Sequence, residues 1–263
     1  MASNRLKMNP TKTEVTIFAS NHTSKNINTT SIQVANESVP ISDHLKYLGV
    51  WFDTQLTMDK HISAKCNSAI LNIRNIASIR RYINLDTAKL LATSLVLTHL
   101  DYSNSILSGL PHKSIARMQR LQNWAAKVVL LRDKYSSSEN ALIQLHWLPV
   151  KERIDYKILT IIFKCLNKMA PQYLSAKIKV KTYTRNTRAS SNGITLEVPF
   201  VRKSTFAARA FSVYGPTLWN TLPPKIQEMN NYDSFKRCLK TELFNRAFKS
   251  NQIKNSFNKA TQH

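Results

Sequence analysis

The residues able to do chemistry in this sequence fall into a sparse acidic set and an abundant cationic one. His99-x-Asp101, with His146 downstream, matches a two-histidine, one-carboxylate facial triad, the pattern that holds Fe(II) with open positions for oxygen chemistry. His99 lies in an apolar helical stretch, however, and no recognisable cation for an oxo-acid co-substrate accompanies it. The acids Asp43, Asp53 and Asp59 stand singly, and no two aspartates adjoin anywhere. Metal-assisted phosphoryl transfer needs clustered carboxylates. No glycine turn of the nucleophile-elbow kind frames a serine, so hydrolase chemistry has no support. Cys66, Cys165 and Cys238 form neither a CxxC pair nor a disulfide framework, which fits a reducing compartment.

The cationic set is more informative. At about 100° per residue, Lys113, Arg117, Arg120 and Lys127 fall in a sector roughly 80° wide that also contains Trp124. Ile115, Met118, Leu121, Ala125, Val128 and Val129 fill the adjoining sector. Such a helix buries one face and presents four cations around an indole on the other. Cations at repeated spacing suit phosphates, because each neutralised phosphate releases condensed counterions, and an aromatic among them can stack on a base or sugar. Arg74, Arg80 and Arg81 are secondary candidates on the preceding long helix. An arm from Lys177 to Arg209 adds Arg185, Arg188 and Arg209, among other cations, interleaved with Tyr183, Phe200 and Phe206. A solvated surface accounts for each of these sets equally simply when it is taken alone.

The background favours a polyanionic partner. The 263 residues carry 38 Lys+Arg against 15 Asp+Glu, a net charge of +23. Residues 1–60 hold 6 basic and 5 acidic residues, whereas residues 61–263 hold 32 and 10. This break marks a domain boundary near residue 60. A 43% hydrophobic content is enough for a packed core. The opening residues Met1 to Arg5 have no apolar core of a signal peptide, and no run approaches 18 apolar residues. A soluble intracellular protein is expected, nuclear or cytoplasmic, neither secreted nor in a membrane.

The elements that must carry these residues can be read from periodicity. Glu14–Ala19 and Ser31–Ala35 alternate, and Tyr47–Phe52 is an apolar run of β-formers, so three short strands are expected, with Ser20–Thr30 as a hairpin loop. Apolar residues at spacings of three and four predict helices over 58–80, 86–105, 112–132, 138–145, 150–168 and 232–249. Asp59 or Thr57 can cap the first of them. The fold class is therefore mainly α with a small N-terminal β portion (α+β).

In order along the chain, several blocks spell a family. Asn4 to Glu14 resembles the block after the active-site strand in reverse transcriptases of non-LTR retrotransposons (LINE-type, jockey-like), and Lys46-Tyr47-Leu48-Gly49-Val50 resembles the following block. His99–Ser105, Leu110-Pro111, Arg120–Ala126, Leu145–Val150, Ala170–Leu174, Arg209–Ser212, Leu218–Pro223 and Phe235–Phe244 continue the series, covering about residues 1–249. The resemblance implies an RNA-directed DNA polymerase fragment: a palm remnant over 1–56, a helical thumb-like bundle over 57–135, a basic C-terminal region over 136–250 and a disordered tail over 251–263. It implies that Lys46, Tyr47, Leu48 and Gly49 act as a primer grip. It also implies that the cations above hold RNA, DNA or RNA–DNA hybrid, and that fingers and most of the palm precede Met1 in a longer reading frame. The parent enzyme uses Mg²⁺ held by an Asp-Asp turn. This chain has no such pair, so no catalytic residue, metal site or cofactor is expected in it, and it is expected to synthesise nothing alone. A domesticated nucleic-acid-binding or adaptor module, or a remnant without enzymatic role, fits the same residues. An Fe(II)-dependent nucleic-acid-modifying oxygenase or a methyltransferase is the remote alternative resting on His99, Asp101 and His146.

Overall fold

A computed structural model describes residue 9 and residues 12–24, 26–34, 37–182, 193–202 and 207–260, the side chains of 21 and 249–260 excepted. The chain divides into two compact units, Met1–Asn67 and Ser68–His263. It is mostly helical, with short antiparallel strands at the N-terminus.

In the first unit, β1 (Ser31–Val34) pairs with β2 (Glu37–Pro40), and β3 (His44–Tyr47) pairs with β4 (Val50–Asp53), as two separate antiparallel hairpins. The Tyr47–Phe52 run is therefore not one strand but a turn between two. Leu48 (φ 46°) and Gly49 (φ 77°) both lie in the left-handed region, which a two-residue type I′ hairpin loop requires. The 14–19 segment is not a strand either. Only Val15 forms a bridge, to Ile41. The 20–30 segment carries one helical turn, Asn21–Ser24. After β4 the Asp53 carboxylate accepts hydrogen bonds from the Thr57 N–H (2.8 Å) and the Met58 N–H (2.7 Å), closing the loop into helix α1, Asp59–Ile79.

The second unit is built around a hydrophobic helix. Helix α2 starts at Leu85–Ala92, capped by the Asn84 side chain on the Thr87 N–H (2.8 Å). It then widens into a π-helical stretch, Thr93–Leu97, and ends at Thr98–Asp101. Hydroxyls of Thr93, Ser94 and Thr98 bond back to carbonyls one turn earlier, competing with the ordinary helical ladder. Ser103 is left-handed (φ 52°) and separates α2 from a 3₁₀ turn at Asn104–Leu107, so the expected 86–105 helix is interrupted. Helices α3 (His112–Val129), α4 (Ser138–Leu145) and α5 (Val150–Leu166) follow. Ile154, Ile158, Leu159, Ile162 and Phe163 of α5 are all buried. Helix α5 packs against α3, the Asn104–Leu107 turn, α6 (Phe211–Trp219) and α7 (Tyr232–Ala260). Helix α7 runs to Ala260, through most of the stretch expected to be a disordered tail.

Arg80 is a fastener in this core. It is 7% exposed, donating Nε–H to the Val129 carbonyl at the end of α3 and Nη1–H to the Ile83 carbonyl, each at 2.8 Å. This removes it from the phosphate-contact candidates, because both groups are committed to backbone inside the fold. Arg80→Ala strands two carbonyls and is expected to destabilise the second unit by about 2 kcal/mol. Lysine, a point charge without the planar fork, should not restore it. A denaturation midpoint equal to that of the unaltered protein would refute this assignment.

Candidate nucleic-acid interface

Helix α3 begins after Pro111, runs for 18 residues and contains no acid. Its inner face buries Met118, Gln122, Ala125, Ala126 and Val129. Gln122 is the residue that periodicity missed. It is fully buried, and its Nε2 donates to the Leu148 carbonyl (2.8 Å). Gln119 Oε1 accepts the Val150 N–H (2.8 Å), the first amide of α5. This glutamine pair joins α3 to the Leu145–Val150 block and so fixes how α3 meets α5. The signal for it is present in the sequence: a polar residue among core positions must find a partner.

With that face fixed, Lys113 and Arg120 are exposed and have no partner among the described residues, and Trp124 is 36% exposed beside them. Arg117 is half-buried on the same side. Lys127 is half-buried and folds back, donating to the Lys134 carbonyl (2.6 Å), so it serves the α3 terminus as well as the stripe. From Lys113 to Lys127 the face runs about 21 Å at 1.5 Å per residue. Arg74 and Arg81 are exposed. Arg209 instead docks inward, with Nε–H on the Ser108 carbonyl (3.2 Å) and Cγ where a Cβ on Gly109 would sit 2.7 Å away. Arg185 and Arg188 lie outside the described residues. Lys177, Lys179 and Lys181 line a groove of about 680 Å³ beside Glu197, where 179–181 and 195–197 pair through Val180 and Leu196.

In the first unit, Lys46 lies opposite Trp51 across the hairpin, and its Nζ is 5.4 Å from the indole centroid. Lys60 approaches the same ring at 3.9 Å. Tyr47 (62% exposed) and Leu48 form the bare tip. Burial, then the nearby Lys46 charge, lowers the Lys65 ammonium below the ordinary lysine value. The hairpin thus offers an indole flanked by two ammonium groups.

Neither metal arrangement finds suitable ligands among the described residues. Asp53 uses both carboxylate oxygens on the loop from Gln55 to Met58, which does not fit a two-metal phosphoryl-transfer centre. Asp101 is held by the Arg153 guanidinium, with Nε–Oδ1 at 2.8 Å and a second bond from Nη2 to Oδ2. His99 Nε2 meets the Asn72 amide (3.2 Å). His146 is an exposed left-handed residue (φ 53°) ending α4, its ring against Phe244. Among the described residues, no group of three His, Cys, Asp or Glu could hold a metal.

One site was not foreseen. A cavity of about 510 Å³ lies beside α3, bounded by Leu107, Leu110, Ile115, Pro149 and Ile154, with Arg120, Glu152, Asp155 and Tyr214 among its polar lining. Asp155 is 2% exposed and accepts hydrogen bonds from the Tyr214 hydroxyl and Lys151 Nζ, each at 2.8 Å. Burial and then the Asp155 carboxylate push the Tyr214 phenol well up. Burial opposes the Lys151 ammonium, but the bond to Asp155 together with the Asp155 and Glu152 charges outweighs it and raises its pKa. Burial raises the Glu152 carboxyl, whose described hydrogen bond comes from its own backbone N–H. An acid inside the α5 core pattern was the available clue.

No family model, curated protein or solved structure matches this chain. Among the described residues, no helix is long and apolar enough to cross a membrane.

Proposed function

We propose that this chain binds the phosphodiester backbone of RNA, DNA or RNA–DNA hybrid, as the thumb and C-terminal part of a reverse-transcriptase-like protein of non-LTR elements, with no polymerase chemistry of its own. The observation that carries the reading is the acid-free α3 face, where Lys113 and Arg120 are exposed without partners beside Trp124, on a chain of net charge +23. Such contacts grip phosphate and read no sequence. Lys46 and Tyr47 at the β3–β4 hairpin are a second contact for the primer strand, an assignment that rests on the resemblance.

Electrostatic binding has a quantitative signature. With three or more phosphates neutralised, log K plotted against log salt should fall with a slope of about −3 or steeper. Affinity for an RNA–DNA duplex should drop roughly fiftyfold between 50 and 200 mM salt. Fluorescence anisotropy over that range measures it. A flat dependence would remove the proposal.

A further inference from the structure

Resting on the backbone-binding reading, we infer that the cavity between α3 and α5 receives one unpaired guanine of the bound strand, held on its Watson–Crick edge by the Glu152 carboxylate. The first reason is position. Arg120 belongs both to the exposed cationic face of α3 and to the cavity lining, so a phosphate held by Arg120 brings its own nucleotide to the opening. The second is shape and surface. The cavity, about 510 Å³, has walls of Leu107, Leu110, Ile115 and Ile154, an environment for the faces of a flat aromatic ring, and its size is within the range of sites for small organic groups.

The third reason is the polar complement. Gln119 and Asp155 also line the cavity, but they are already committed, Gln119 to α5 and its own helix, Asp155 to Tyr214 and Lys151. Glu152 differs: it lines the cavity and, among the described residues, no hydrogen bond or ion pair ties it to another side chain, so its carboxylate keeps acceptor capacity. Two acceptor oxygens on one side chain match two adjacent donors on one edge. Guanine presents that pair, N1–H and the N2 amine. Adenine offers one amine beside an acceptor, and cytosine likewise, so each leaves a lone pair facing a lone pair. A paired base has this edge occupied, so the nucleotide must be unpaired.

The test uses the full chain and RNA–DNA duplexes carrying a single bulged guanine, inosine, adenine or no bulge, with affinity read by anisotropy at fixed salt. The guanine bulge should bind about tenfold tighter than the adenine bulge, with inosine, which lacks the N2 amine, in between. In Glu152→Gln the guanine-to-adenine ratio should fall to about one, whatever the change in overall affinity. Ala116→Met, which extends a longer apolar side chain into the cavity while leaving residue 152 unchanged, should lower the same ratio. If the unaltered protein binds duplex yet treats all bulges alike, or if the ratio survives both substitutions, the guanine pocket is wrong and the backbone reading stands. If it binds none of the duplexes, both are wrong.

Discussion

Replacing Phe235 with alanine is expected to remove about 4 kcal/mol from the stability of the second unit. Phe235 is fully buried on α7 and stacks on Phe163 of α5 with ring centroids 4.2 Å apart, while Trp219 of α6 lies at 5.9 Å on a nearly parallel plane. One ring on α7 therefore contacts two further helices, α5 and α6. Deleting it forfeits the transfer free energy of a phenyl group, leaves a cavity between rigid rings that cannot collapse, and breaks two aromatic contacts at once. A domain has on the order of 5–15 kcal/mol in total, so a large part of the margin goes. Thermal unfolding should shift down by on the order of 10 °C for a unit of this size. Leucine keeps much of the volume and should cost about 1.5 kcal/mol. Intrinsic fluorescence offers a direct readout, since Trp219 sits against the substituted ring. An alanine variant that unfolds at the original midpoint would show that this aromatic stack does not hold the helices together.

The same residues explain how far the sequence could be read. Helices α3, α4 and α5 follow their periodicity because a period near 3.6 is set by local geometry, and the core simply accepts the stripe. Strand pairing is not local. Glu14–Ala19 alternates correctly, yet alternation says which faces a strand would have and not whether a neighbour is there to pair. Tyr47–Phe52 misled for a related reason: a leucine at φ 46° is unusual, so Leu48-Gly49 did not register as a turn inside an apolar run. Helix α6 was hidden by Gly215 and Pro216, both poor helix formers. In the fold that glycine admits a close approach of Ile162, whose Cδ1 would be 2.8 Å from an added Cβ. Arg80 and Arg209 were counted as surface charge because their carbonyl partners, Val129 and Ser108, lie 49 and 101 residues away. Charge is legible in a sequence; the commitment of that charge is not.

That distinction also selects the decisive interface experiment. Lys113 and Arg120 are the stripe cations that are both exposed and uncommitted, so they are the ones to neutralise. If each contacts one phosphate, Lys113→Ala with Arg120→Ala removes two counterion-release terms, and the salt slope should become shallower by about 1.8. At about 0.1 M salt each term is worth roughly a factor of eight, so the pair should weaken duplex binding about sixtyfold. Stability should change little, since neither side chain has a hydrogen-bond or ionic partner among the described residues. The necessary control removes the same net charge elsewhere: Lys225→Ala with Lys240→Ala, both exposed and on other helices. A diffuse field of +23 would make the two double variants equivalent, because long-range attraction depends on total charge and is screened over about 10 Å at this ionic strength. A contact face makes them unequal, with the slope change confined to the α3 pair. Equal losses in both variants would therefore reduce α3 to one cationic surface among many.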